Sequence, residues 1–152
     1  MATQDTSQRA SEPLTEELLE RLLASTTPEA YLEEAPLFDR SLSEYAYALL
    51  EEKGLTRSAV IQASGINATY CYQIFQGTRH PTRDHVIMLA FGLGCSLTET
   101  QRLLRYAGVN ELWVKLRRDA IIIHCVQQGM TRAQCDDELY RLGEETLLPA
   151  EG

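Results

Sequence analysis

No pair of cysteines in this 152-residue chain is spaced as C-x-x-C. The four that occur, Cys71, Cys95, Cys125 and Cys135, are scattered. That removes the closely spaced ligand pairs of a structural zinc site and the dithiol of a redox motif. His80, His85 and Cys95 form one loose set around which a metal could gather, and His124, Cys125 and Cys135 form another. Neither set has metal-ligand spacing, so no metal and no cofactor is expected, and buried, inert thiols are the better reading. Long apolar runs are missing as well. The longest cluster, Ala120 to Val126, is too short to cross a bilayer and is broken by His124. The opening M-A-T-Q-D-T-S-Q-R-A-S-E-P holds no apolar signal core. No membrane contact and a cytoplasmic location are therefore expected. Sustained period-two alternation is also absent, which argues against strands. Catalytic signatures are lacking too: no supported Ser/His/Asp or Cys/His set, no phosphate-cradling glycine loop, no paired carboxylates in a recognisable setting. No catalytic residue is expected, and the chain reads as a non-enzyme.

What is present is helical and ordinary in composition, with 44% hydrophobic and 24% charged residues. The length allows one domain with extensions and a real core. The formal net charge is −8. Its distribution matters more than its sum. Residues 1–40 carry nine acids and three bases, residues 111–152 eight and five, and residues 41–110 only five and six. The acidity lies at the ends, and the middle is locally neutral to basic.

Every apolar run repeats at three and four, the period of a helix. Residues 1–12 are expected to be disordered. Residues 13–40 hold acidic helices: one from Pro13 to Leu23 with leucines on one face, then a short one opened by Thr27-Pro28 and ended before Pro36. Ser41-Leu-Ser-Glu44 and Ser96-Leu-Thr-Glu99 have the form of capping boxes. Five helices follow between residues 41 and 108. The first runs to Gly54 and the second from Thr56 to Gly65. The third runs from Asn67 to about Gln76, the fourth from Thr82 to about Gly92, and the fifth from Ser96 to Gly108. Beyond them, one helix from about Glu111 to Gln128 is expected to hold Trp113, Leu116, Ile121 to Ile123 and Val126, with Ile121 to Ile123 either sandwiched within the protein or shared between two subunits. A last helix, from Thr131 to Gly143, completes a C-terminal extension over 111–147, with 148–152 as a tail. The phrases Gly54-Leu-Thr-Arg57 and Gly129-Met-Thr-Arg132 match, but their surroundings do not align. They read as the same junction chemistry used twice.

Leu55-Thr56, the turn Gly65-Ile66, Tyr70-Cys71-x-Gln73-Ile74 and then Gly77-Thr-Arg-His-Pro81 stand in order. They lead to the helix closing on Leu89-Ala90-x-Gly92-Leu-Gly94. Over about residues 41–108 this pattern resembles the lambda-repressor-like (Xre/Cro-C1-type) helix-turn-helix family of transcriptional regulators. The resemblance implies an all-α fold: a five-helix DNA-binding domain, here with extra N-terminal and C-terminal helices. Two positions depart from the pattern. Arg57 stands where the family usually has glutamine, and Ile61 where a small residue lets two helices approach.

Helical spacing supplies roles without the analogy. If Tyr70, Cys71 and Ile74 face inward, then Ala68, Thr69, Tyr72, Gln73 and Gln76 face outward, where they are the expected base contacts. Gln73 offers an amide to adenine, and Thr69 a hydroxyl or methyl to a base edge. Thr56 and Asn67 lie at helix N-termini, which favour phosphate. Arg57, Thr78, Arg79, His80 and Arg83 complete the expected phosphate contacts. Asp84 reads as dipole compensation in a first turn.

Three classes of function fit these residues unequally. The leading expectation is a sequence-specific regulator bound to double-stranded DNA. It would pair as a homodimer through the C-terminal helices and take a protein partner on its acidic N-terminal helix. The alternative is a protein-interaction adaptor that keeps the fold, motivated by the −8 charge and by Tyr72 and Phe75 as exposed aromatics. An enzyme is the third and weakest.

Overall fold

Short polar side chains decide where the helices begin. Ser41, Thr56, Asn67, Thr82, Ser96 and Thr131 each accept a hydrogen bond from a first-turn backbone N–H, and a helix starts behind each. Such caps contribute about 1 kcal/mol apiece. The computed structural model describes residues 15–34 and 41–149. The expected disordered start (1–12), Pro13 and Leu14 of the first expected helix, the stop at Pro36 and tail residues 150–152 lie outside them.

Among the described residues every regular element is a helix, and no helix is long and apolar enough to cross a membrane. The chain divides into two units, Met1–Asp39 and Arg40–Gly152. The first contains α1 (Thr15–Ala24) and α2 (Pro28–Glu34). Ala30 N–H donates to Thr27 Oγ1, so the threonine start signal works as a cap. Leu19, Leu22, Leu23 and Leu32 are exposed on these helices.

The second unit holds α3 (Leu42–Glu52), α4 (Arg57–Ser64), α5 (Ala68–Gln76), α6 (Arg83–Gly92), α7 (Leu97–Tyr106), α8 (Arg117–Gln127) and α9 (Arg132–Arg141). They share one core. Leu49, Val60, Ile74, Phe75, Ile87, Leu89, Leu103 and Leu104 lie at its centre, and Ile122, Cys125 and Leu139 extend it under α8 and α9. The fold is all-α, a five-helix domain (α3 to α7) with added helices at both ends.

The α4–α6 crossing depends on a missing side chain. A Cβ at Gly92 would fall 2.8 Å from Ser64 Cβ and 2.9 Å from Val60 O. Ile61, where a small residue was expected to allow close approach, is half-buried against the core, so the tight crossing lies at Gly92 and Ser64 instead. In the turn between α4 and α5, Gly65 has φ 78°, a conformation nearly closed to other residues. Ile66 then folds back and is buried.

Three expectations need correction. At Ser41 only the serine half of the capping box forms, whereas Ser96–Glu99 and Thr131–Gln134 form both halves. Phe75 was expected to be exposed, but it packs edge-on against Tyr47 with centroids 5.4 Å apart and is 2% exposed. The helix expected from Glu111 begins only at Arg117. Gln101 explains why. Its amide accepts from Leu112 N–H (2.8 Å) and donates to Leu112 O (2.9 Å), which holds this stretch in a non-helical path. Leu112 is buried there, while Trp113, Val114 and Leu116, ahead of the helix, are exposed.

Candidate nucleic-acid interface

The start of α5 is fixed by Asn67, whose Oδ1 accepts from Thr69 N–H (2.9 Å) and Tyr70 N–H (3.4 Å). Its end is fixed by Gly77, at φ 78°, and by Thr78, whose N–H and hydroxyl both donate to Gln73 O. Between these stops Cys71, Ile74 and Phe75 go into the core. Ala68, Thr69, Tyr72 and Gln76 are exposed, and Gln73 and Tyr70 are half-buried. Within the second unit, then, one side of α5 faces solvent and carries small and amide-bearing residues.

Two arginines beside α5 lie over aromatic rings. Arg57, on the first turn of α4, has its guanidinium carbon 5.4 Å from the Tyr72 ring centroid and 5.9 Å from that of Tyr47. Arg79, in the loop after α5, lies 4.3 Å over the Tyr70 ring and donates to Gln73 Oε1 at 3.4 Å. Among the described residues neither arginine has a carboxylate partner. A cation over a ring is held in place while its N–H groups remain free to donate elsewhere. The aromatic backing of these two cations, Tyr47 above all, escaped the reading of the sequence. The signal that could have found it is Tyr47 facing the same way as Leu50 one turn on, at the head of the α4 junction.

The Tyr70 ring meets two groups. His85 stacks on it at 4.2 Å with rings 19° apart, and the Arg79 guanidinium carbon lies 4.3 Å from its centroid. Tyr70 Oη accepts from Thr82 N–H (3.3 Å), and Thr82 Oγ1 meets His85 Nδ1 at 2.7 Å. Burial lowers the His85 pKa below its usual 6.5; the Asp84 charge works against that shift and the Arg79 charge reinforces it. Burial likewise raises the Cys71 thiol to about 11, and Cys95, Cys125 and Cys135 move the same way. All four are free thiols in the protonated form.

The expected phosphate contacts separate into two groups. Thr56, Arg57, Asn67, Thr78, Arg79 and His80 are exposed around α5. Thr56 and Asn67 use their side-chain oxygens to cap their own helices. Arg83 does not belong with them. Its Nε donates to Asn110 O (2.9 Å), Nη1 to Asp119 Oδ1 (3.0 Å), and Nη2 to Asp119 Oδ2 (2.7 Å) and Glu111 O (3.0 Å). With all three nitrogens engaged inside the protein, it is not available as a clamp. Asp84, read only as dipole compensation, also accepts two hydrogen bonds from Arg118.

Residues 47–99 match the family model described as Helix-turn-helix. No curated protein and no solved structure matches the chain. The matched stretch runs from Tyr47 in α3 to Glu99 in α7, and so contains both the α4–turn–α5 unit and the two ring-backed arginines. On this architecture and this match, residues 47–99 are a helix-turn-helix domain of the lambda-repressor-like, Xre-type family of DNA-binding regulators.

Proposed function

We propose that the protein is a sequence-specific transcriptional regulator that lays α5 in the major groove of double-stranded DNA. Ala68, Thr69, Tyr72, Gln73 and Gln76 are its base-facing residues. Thr56, Arg57, Asn67, Thr78, Arg79 and His80 hold the backbone on either side. One observation carries this reading: the solvent-facing side of α5 has beside it two guanidinium groups that are backed by rings and unpaired with carboxylates. Preorganised cations beside a helix of groove width are what phosphate contact needs. A DNA target places the protein in the cytoplasm.

Half-sites one helical turn apart call for two copies, and the C-terminal region supplies the surface for a homodimer. Trp113, Val114, Leu116 and Tyr140 are its exposed large side chains. The leucines of α1, set among Glu16, Glu17 and Glu20, suit a protein partner. The adaptor reading keeps only the net charge and Tyr72 in its support, because Phe75 is buried.

Binding-site selection from random duplex DNA, run with the full chain at two salt concentrations, tests the proposal. An enriched motif whose affinity falls as salt rises is the expected result. No enriched motif at either concentration would leave the adaptor in its place, and a strictly monomeric mass with and without DNA would remove the dimer.

A further inference from the structure

The α8–α9 segment repeats the α6–α7 segment at a spacing of 35 residues. Helix α7 spans Leu97–Tyr106 and α9 spans Arg132–Arg141; α6 and α8 end at Gly92 and Gln127. The capping boxes at Ser96–Glu99 and Thr131–Gln134 stand in the same register. So do the left-handed glycines Gly94 and Gly129, and Gly108 and Gly143. Buried Ile87, Leu104 and Leu112 correspond to buried Ile122, Leu139 and Leu147. Even the loop closure recurs: Gln101 accepts from Leu112 N–H, and Asp136 accepts from Leu147 N–H.

Each copy opens on Arg-Asp, and the two pairs bond crosswise. Arg83 takes Asp119 with two nitrogens, and Arg118 takes Asp84 the same way. Each arginine also donates to two consecutive carbonyls at the end of its own copy, Asn110 and Glu111 for Arg83, Glu145 and Thr146 for Arg118. Two helix N-termini are thereby brought together with a carboxylate in each first turn to offset their positive ends. Asp119 is 2% exposed and also accepts from Trp113 N–H (3.0 Å).

The second copy reaches the recognition unit at both flanks, directly before α5 and through the start of α6 after it. Before α5, a Cβ at Gly65 would fall 2.8 Å from Arg132 Nε, on the first turn of α9. Arg132 is ion-paired to Asp136, and its Nε is buried with no hydrogen-bond partner. After α5, Arg83 follows directly on Thr82, which is bonded to Tyr70, and Tyr70 carries Arg79. From these contacts we infer that α8–α9 is a tandem copy of α6–α7 retained as a brace for α5, with Arg83, Asp119, Arg118, Asp84 and Arg132 as positioning residues. The inference rests on the DNA-binding reading for its consequence and on the two flank contacts for its mechanism.

The test uses the full chain with Asp119→Asn and, in case that variant does not fold, Asp84→Asn at the more exposed pair. Helix content is checked by circular dichroism. Affinity is then measured on the duplex selected by the wild type, and amide hydrogen exchange is followed over Thr78, Arg79, His80 and Thr82. Both variants are expected to stay helical, to exchange faster at those amides, and to lose about tenfold in affinity, the scale of coupling through a packed network. Helical variants with wild-type affinity, or with unchanged exchange in that loop, overturn the brace. If the wild type selects no duplex, the DNA-binding reading fails and the exchange measurement alone decides: faster exchange sustains the brace, unchanged exchange ends it.

Discussion

Gly92→Ala probes how close α4 must come to α6. The added methyl would meet Ser64 Cβ at 2.8 Å, Val60 O at 2.9 Å and Ser64 N at 3.2 Å. None of these is the loose end of a long side chain. Two belong to the α4 backbone, and Ser64 is tied by its hydroxyl to Ile61 O and Ile66 N–H, both at 3.2 Å. Ordinary contact requires the helices to part by about 0.5 Å or more. Overpacking of this kind costs about 1–3 kcal/mol. Alanine regains up to about 1 kcal/mol of helix propensity, less here because Gly92 is the last residue of α6. The expected balance is a loss of roughly 1–2 kcal/mol. For a unit of about 110 residues that lowers Tm by roughly 5–10 °C. Thermal unfolding followed by circular dichroism measures it. Gly94→Ala separates collision from backbone strain, since Gly94 has φ 63° and open space at its Cβ position. A Gly92→Ala protein as stable as the wild type would refute the claimed contact.

Gln73→Ala and Arg79→Ala are expected to differ in kind. The first relaxes preference at one base pair by about 1–3 kcal/mol, and the second weakens all duplexes alike while reducing the salt slope by about one; selection and salt titration distinguish them. For His85 the folded-state pKa lies below the unfolded value of 6.5, so the folded protein binds its proton less readily. Its contribution to stability is therefore complete above pH 6.5 and is lost as pH falls below that value toward the folded pKa; in His85→Gln this part of the dependence should vanish from denaturant midpoints measured across pH 5 to 7.5.

Local chemistry made the helices legible: a cap at Thr56, Asn67, Thr82 or Thr131 acts within four residues, so its consequence can be read from adjacent letters. Phe75 was harder. Helical spacing puts it near the edge of the outward side, and packing from other helices, the Tyr47 ring included, makes it core. The late start of α8 was hidden for a similar reason. Leu112 has helical neighbours in sequence, but Gln101, eleven residues earlier, takes both of its backbone groups. Arg83 looked like a clamp because it is a cation beside the recognition loop; its partner, Asp119, is 36 residues away. The two Arg-Asp dipeptides, 83–84 and 118–119, were a readable sign of that pairing once each was placed at a helix start. A helix drawn from Glu111 put the second one in mid-helix and concealed it.

The acidic total looks unfavourable for a DNA ligand only while charges are counted without their partners. Of the bases between residues 41 and 110, Lys53 pairs with Glu99, Arg83 with Asp119 and Arg105 with Glu111. Arg102 bonds to Tyr45. Arg57 and Arg79 are left, and both flank α5. Pairing thus sorts the cations, so that those still able to meet a phosphate stand at the proposed groove. This selectivity also limits the electrostatic contribution. With a slope of about −0.9 per phosphate neutralised, two arginines give roughly −2 for one protomer and roughly −4 for a dimer. A measured slope near −8 would require phosphate contacts from cations beyond Arg57 and Arg79, and would mean that the protein's grip on DNA lies largely elsewhere than beside α5.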